Sequence, residues 1–138
     1  MIKKIILFTI LSVGFISFSC MPDQNDLKTT LARGKKVYEK TCITCHQPEG
    51  DGVPRMNPPL IKTQQVLGSK EKLVRIIVQG YNEQVEIKGD IYYTPMPAQP
   101  LLSNQEIADV LTYIRNSFGN KASAITVNEV NKIRTKIK

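Results

Sequence analysis

Cysteine and histidine come together at one place in this chain, in the string Cys42-Ile43-Thr44-Cys45-His46. Two thiols separated by two residues can each add to one vinyl group of a porphyrin, and the adjacent imidazole can then bind the iron from one face. The spacing therefore predicts one covalently attached c-type haem. Cys42 and Cys45 would be its attachment points and His46 its proximal iron ligand.

Other chemistry is possible for the same residues. A thioredoxin-like thiol pair requires a surrounding βαβ pattern, which the sequence lacks. A structural zinc site requires four ligands, and only Cys20 is left to add to the motif because His46 is the only histidine. A buried cysteine pair that happens to lie beside an exposed histidine is the simplest remaining alternative.

The N-terminal residues follow the pattern of an export signal. Lys3 and Lys4 give the N-terminus a positive charge, and an apolar run over residues 5–18 follows. This run is shorter than the roughly 20 apolar residues that cross a bilayer, so residues 1–19 are predicted to be a cleaved signal rather than a membrane span. Cys20 at its end resembles the lipidation site of bacterial lipoproteins, although Ser17 stands where that pattern prefers leucine. Lipidation, with simple cleavage as the alternative, would anchor the protein to a membrane surface.

The 119 residues that follow the signal suffice for one small domain. Loss of two lysines with the signal leaves 17 basic against 12 acidic residues, a net charge of +5. The basic residues are dispersed, with no stripe of basic and aromatic side chains, so no nucleic-acid partner is predicted. The predicted division is a linker over residues 20–26, a domain over 27–120 and a tail over 121–138.

The tail is rich in lysine and carries a capping box at Thr126 and Glu129. This pattern predicts a solvated helix whose basic residues lie at the end that favours positive charge. The alternative is a surface that docks an acidic redox partner.

Hydrophobic periodicity and turn residues predict the elements that position the motif. An amphipathic helix with Leu27 on its apolar face and Gly34 inside leads into the motif, and the Gly- and Pro-rich residues 47–59 form a loop. A second helix begins at Ser69 and ends at Gly80. A β-hairpin with a turn at Lys88-Gly89-Asp90 follows.

The clearest helix begins at a capping box of Ser103 and Glu106 and ends at Gly119. Its apolar residues lie along one face: Ile107, Val110, Leu111, Ile114 and Phe118. Helices and loops of this size bury little core, so a covalent porphyrin is expected to supply the missing hydrophobic centre.

Taken in order, these features resemble the class I cytochrome c family over nearly all of residues 27–120. The features that match are the helix with Gly34 and Tyr38, the Cys-x-x-Cys-His motif, Pro58-Pro59-Leu60, Thr94-Pro95-Met96-Pro97 and the segment Leu111-Thr112-Tyr113-Ile114. The resemblance implies an all-α cytochrome c fold wrapped around the haem, with the small β-hairpin before the second iron ligand. It also implies that the first and last helices of the domain cross at Gly34, near Leu111 and Ile114.

The resemblance further implies the second iron ligand. In the family a methionine far downstream of the motif closes the site, and Met96, between Pro95 and Pro97, stands in the matching place. Met56 is the competing candidate, and an open iron site is the third possibility. By the same analogy, Pro58 or Pro59 would offer a backbone carbonyl to His46.

This chain has no tryptophan, so residues other than the tryptophan of mitochondrial cytochrome c must contact the haem propionates. The unranked candidates are Arg55, Arg75, Tyr92 and Tyr93.

The expected function is one-electron transfer between donor and acceptor redox proteins in the bacterial cell envelope, by a monomer or a subunit of a redox complex. The alternative is a relay subunit permanently bound to a periplasmic quinoprotein dehydrogenase or copper nitrite reductase. A structural haem subunit is a further possibility. A haem enzyme or gas sensor would need an open iron face or a distal acid and base, and His46 is already used on the proximal side. The chain is therefore not expected to be an enzyme itself.

Overall fold

The computed structural model describes residues 24–137, so the predicted signal, Cys20 and the first half of the predicted linker lie outside the described residues. This part of the chain contains six α-helices and one two-stranded sheet, in the order α1 (Gln24–Thr41), α2 (Ile43–His46), α3 (Gln64–Leu67), α4 (Lys70–Gln79), β1 (Val85–Ile87), β2 (Asp90–Tyr92), α5 (Asn104–Asn116) and α6 (Val127–Lys136). Within these limits, no helix is both long and apolar enough to cross a membrane.

Helix α1 begins at Gln24, inside the predicted linker. Its first turn is polar, with Asp26 near the positive end of the helix dipole, so its composition resembles that of a linker. Leu27, predicted on the apolar face, is 42% exposed, whereas Tyr38 near the other end is buried. The linker prediction was therefore too long, and the inner face of α1 lies mainly in its C-terminal half.

Helices α1 and α5 cross in close contact at Gly34, as the prediction of crossing helices required. A Cβ at this position would overlap the carbonyl oxygen of Asp109 and lie 2.7 Å from Cβ of Tyr113. The prediction named Leu111 and Ile114 as the neighbours of Gly34, and this was wrong. Those two residues lie on another face of α5, because successive helical residues are about 100° apart, and they line the cavity described below.

An ion pair joins the same two helices. Arg33 donates from Nε and Nη2 to the two carboxylate oxygens of Asp109, at 2.6 and 2.8 Å, and Gln105 donates to the same carboxylate at 2.9 Å. The Asp109 side chain is almost fully buried, so its charge requires these partners. The pair thus fixes the register of α1 on α5 beside the glycine contact.

Helix α5 carries the predicted capping box and buries Ile107, Val110, Leu111 and Ile114. It ends at Asn116, however, and Phe118 has a φ of 58° outside the helix. The Phe118 ring turns back onto Tyr38 and Tyr113, with centroid separations of 5.3 and 5.7 Å. The helix prediction was therefore too long, because a favourable aromatic cluster stabilises the left-handed residue.

The second predicted helix and the hairpin are confirmed. Ser69 caps α4, and Gly80 ends it with a φ of 77°. In the hairpin Val85 pairs with Tyr92, and the turn residues Lys88 and Gly89 have φ values of 54° and 87°. Two consecutive positive φ angles define the two-residue turn that matches strand twist. The turn is one residue shorter than predicted, because Asp90 already pairs with Ile87.

The predicted tail helix is present as α6, with its capping box at Thr126 and Glu129. It is not solvated all round: Val130 and Ile133 are buried in the same core as α4 and α5. Lys70 on α4 donates to Glu129 at 2.8 Å. The tail beyond residue 120 therefore packs as part of the domain.

Candidate haem-binding site

The Cys-x-x-Cys-His motif lies on one short turn of helix directly after α1. Cys42 precedes α2, and the His46 amide donates to the Cys42 carbonyl at 3.0 Å. The next residue, Gln47, has a φ of 63°, which reverses the chain direction. The buried Tyr38 hydroxyl donates to the Gln47 carbonyl at 2.6 Å, a contact that sequence reasoning missed. Helix α1 therefore fixes both ends of the motif.

The two motif cysteines are free thiols in different environments. Cys42 is half-buried and lines the cavity, whereas Cys45 is exposed. Burial, with a smaller contribution from Cys45, raises the pKa of Cys42 to about 11. Within residues 24–137 the two strands form one antiparallel hairpin and no βαβ unit surrounds the motif, so the fold does not favour the thioredoxin-like alternative. Residues 24–137 contain no cluster of three or more Cys, His, Asp or Glu side chains placed to bind a metal ion together.

His46 is buried and oriented by one hydrogen bond. Its Nδ1 lies 3.0 Å from the carbonyl oxygen of Pro58. Because a carbonyl only accepts, Nδ1 carries the proton and Nε2 keeps its lone pair. Burial lowers the pKa of His46, although the Pro58 hydrogen bond opposes this shift. The ring is thus presented as a neutral nitrogen donor, the form that binds metals. Of the two prolines considered, Pro58 makes this contact.

The motif opens onto a narrow cavity of about 100 Å³. Its walls come from the motif, α4, the hairpin and α5, and most of the lining residues are apolar: Leu60, Val66, Leu73, Ile76, Ile77, Val85, Ile87, Leu111 and Ile114. The lining of this apolar cavity includes the Cys42 thiol and one neutral imidazole, and the second motif thiol, Cys45, is exposed. These groups are the donors that a covalently held porphyrin requires.

Met96 also lines this cavity, and its backbone is held firmly. Its amide donates to the Tyr81 carbonyl at 2.7 Å, and the Tyr81 amide donates back at 2.9 Å. Gly80 permits this approach, since a Cβ there would lie 2.6 Å from the Met96 carbonyl oxygen. The sequence analysis placed Met96 between two prolines but did not predict this bridge. The combination of Gly80 with an aromatic strand-forming residue after a helix was the available signal.

The competing methionine is in a different place. Met56 is 54% exposed and does not line the cavity. Among the four candidates for propionate contacts, Tyr92 is buried at the cavity wall, and the other three lie outside its lining. Arg75 pairs with Glu71 on the same helix, and Tyr93 is 62% exposed.

The chain belongs to the cytochrome c family. The family model described as "Cytochrome c" matches residues 31–118, which include the motif, the cavity walls and α5. This confirms the predicted cytochrome c fold and establishes the class of protein: an electron-transfer protein that carries covalently bound haem c and is not itself a catalytic enzyme.

Among its relatives, the chain is similar to cytochrome c-552 of Thermus thermophilus, at 34% identity over 114 residues, covering 76% of this chain and 86% of the relative. It is also similar to the cytochrome c subunit of a quinone-type alcohol dehydrogenase from Gluconacetobacter polyoxogenes, at 36% identity over 113 residues. That match covers 77% of this chain but only 23% of the subunit. A cytochrome c subunit of gluconate 2-dehydrogenase from Pantoea cypripedii is 30% identical over 105 residues, covering 73% of this chain and 24% of the subunit.

Proposed function

We propose that the chain is a one-electron carrier of the bacterial cell envelope, with haem attached at Cys42 and Cys45 and iron bound by His46 and Met96. The observation that carries this proposal is that Cys42, His46 and Met96 line one apolar cavity. When bound, the haem supplies the electron chemistry, as its iron cycles between the ferric and ferrous states. The family and its relatives support electron transfer, and the residue assignments rest on the geometry of the cavity.

His46 has two tasks in this proposal. It offers Nε2 to the iron, and the Pro58 carbonyl holds the ring in one orientation through Nδ1. A hydrogen bond to the second ring nitrogen raises the basicity of a ligating imidazole and fixes its tautomer. Helix α2 fixes the backbone of His46, and the hydrogen bond to Pro58 fixes the orientation of its ring.

Met96 offers a neutral sulfur, which favours the ferrous state more than a nitrogen ligand does. The two hydrogen bonds of the bridge to Tyr81 hold its backbone beside the end of α4. The apolar walls exclude water, and a constant set of ligands keeps the structural change on electron transfer small. The residues thereby serve as a fixed, dry support for the iron rather than as reacting groups.

Covalent attachment is tested by denaturing electrophoresis with haem staining. We expect a stained band at the mass of the protein, since two thioether bonds survive denaturation. A Cys45→Ala variant leaves one thioether bond, and a Cys42→Ala, Cys45→Ala double variant should lose all stain. Complete extraction of haem from the unmodified protein by acidified acetone would contradict the proposal.

We also propose that the protein is exported and that Cys20, which lies outside the described residues, is the acylated first residue of the mature chain. The sequence of a charged start, apolar run and cysteine supports this. Mass spectrometry of the mature N-terminus should show acyl chains on Cys20, and the protein should partition into detergent. A Cys20→Ser variant has no thiol to acylate, so its N-terminal peptide should carry no acyl chain at this position. A free N-terminus at another residue would refute the anchor without affecting the haem site.

A second candidate is a relay subunit permanently bound to a dehydrogenase. The similarity to cytochrome subunits of the alcohol and gluconate dehydrogenases favours it. Purification from the native membrane, followed through the haem absorbance, separates the two. A carrier elutes at its own mass, whereas a subunit elutes with dehydrogenase activity in constant proportion.

A further inference from the structure

We infer that Arg134, on α6, is a positioning residue for Met96: it holds the loop that follows Met96 and thereby keeps the thioether at the iron site. The inference rests on the role of Met96 proposed above. Arg134 Nη1 donates to the Leu102 carbonyl and to Asn104 Oδ1, each at 2.9 Å. Its Nη2 donates to the Pro100 carbonyl, also at 2.9 Å. The Leu102 and Pro100 carbonyls lie in the loop between Met96 and α5, and Asn104 is the first residue of α5.

Leu102 packs this loop against the core, and hydrogen bonds hold the rest of it. Residues 97–103 form no helix or strand, and Leu101 is 96% exposed. The Gln99 amide donates to the Ile77 carbonyl of α4 at 2.8 Å, and Arg134 supplies the contacts further along. A planar guanidinium presents several N–H groups in a rigid fork, so it can hold separate carbonyls in a fixed arrangement.

A displacement at Pro100 would be transmitted to Met96. Only three residues separate them, and one is Pro97, so two of the five residues from Met96 to Pro100 have a fixed φ. On its other side, Met96 is held by the bridge to Tyr81. Met96 is therefore supported on one side by the bridge to Tyr81, and on the other by the loop that Gln99 joins to α4 and Arg134 joins to α6.

The side chain of Arg134 can be removed without releasing α6. The helix is fixed independently by the buried residues Val130 and Ile133 and by the ion pair between Lys70 and Glu129. None of the ion pairs found within residues 24–137 includes Arg134. Its contacts are thus directed to the loop, and a substitution should affect the loop more than the fold.

The test compares two melting curves of the ferric holoprotein: the thioether-to-iron absorption band and the far-ultraviolet circular dichroism. In the unmodified protein we expect the band to disappear at a temperature close to that at which the helices unfold. In Arg134→Ala the band should disappear at a clearly lower temperature than the helices. The reduced variant should also bind carbon monoxide. The population in which Met96 is detached from the iron should rise by about tenfold or more, as expected for the loss of hydrogen bonds from a charged donor.

Lys70→Ala is the matched control, because it removes a different polar contact of α6, the one to Glu129, without touching the loop. Lys70→Ala should shift the melting temperatures of the absorption band and of the helices by the same amount. Arg134→Lys keeps the charge without the fork and should also lose the band early. The inference is overturned if Arg134→Ala shifts both melts equally, if Lys70→Ala separates them as strongly, or if Arg134→Lys retains the band in full.

Failure of the inference can be distinguished from failure of the proposed ligand. If the unmodified protein lacks the thioether band, or if Met96→Ala keeps it, Met96 is not the ligand. The proposed ligand and the inferred role of Arg134 are then both refuted. If Met96→Ala abolishes the band but Arg134→Ala leaves its melt unchanged, only the role of Arg134 is refuted.

Discussion

Replacement of Met96 by Ala is expected to abolish the thioether-to-iron absorption band and to open the iron to carbon monoxide and cyanide. The methyl group left at this position cannot reach or bind a metal, and the cavity wall offers no second histidine. The reduction potential should fall on the order of 100 mV, a modest part of the roughly 0.8 V range that axial ligands set. Optical titration with carbon monoxide and a redox titration measure the two effects. Met96→His should instead keep six ligands while lowering the potential.

Met56→Ala is the matched control for this experiment. Met56 is exposed and outside the cavity lining, so its loss should leave the band, ligand binding and potential unchanged. If Met56→Ala abolished the band and Met96→Ala did not, the ligand assignment would be reversed. The electron carrier function would still stand, because it depends on the haem and not on which methionine binds it.

The second large effect is expected at the crossing of α1 and α5. Gly34→Ala should destabilise the holoprotein by about 3 kcal/mol, at the upper end of the usual cost of overpacking. The added Cβ would overlap the Asp109 carbonyl, and neither helix can move away without straining the ion pair between the exposed Arg33 and the buried Asp109. Guanidinium unfolding followed by circular dichroism measures the loss.

The sign of the change in stability on Gly34→Ala distinguishes the effect of steric overlap from that of helix propensity. Alanine is the better helix former by about 1 kcal/mol, so propensity alone would make Gly34→Ala stabilising. Lys36→Ala, at an exposed position of the same helix, is the control and should change stability by no more than about 0.5 kcal/mol. An unchanged or raised stability of Gly34→Ala would show that the helices do not meet as closely as described.

Local signals in the sequence were sufficient for most elements of the fold. A capping box needs only residues three apart, and this pattern correctly located the starts of α5 and α6. The hairpin was predicted from a glycine turn between alternating residues, and its two-residue turn requires only local φ angles. The spacing within the Cys-x-x-Cys-His motif is likewise local, because covalent attachment of the haem constrains five consecutive residues. The cofactor predicted from it agreed with the family found by comparison.

Element ends and inner faces were less predictable where a distant contact overrode local preference. Phe118 continued the apolar pattern of α5, but its ring leaves the helix to join Tyr38 and Tyr113. The neighbours of Gly34 were misplaced for a similar reason, since a small residue signals close approach without saying which face of the other helix it meets. Only the packed chain specifies that partner.

The sequence by itself determined the chemistry available to this protein: two thiols, one imidazole and a downstream methionine, in an order typical of one family. Only the tertiary structure decided how these groups are held. The Pro58 carbonyl at His46, the Tyr81 bridge at Met96 and the Arg134 contacts beyond it join residues 12 to 34 positions apart. Such contacts carry no local pattern, because a backbone carbonyl is present at every residue and only the path of the folded chain determines which one accepts.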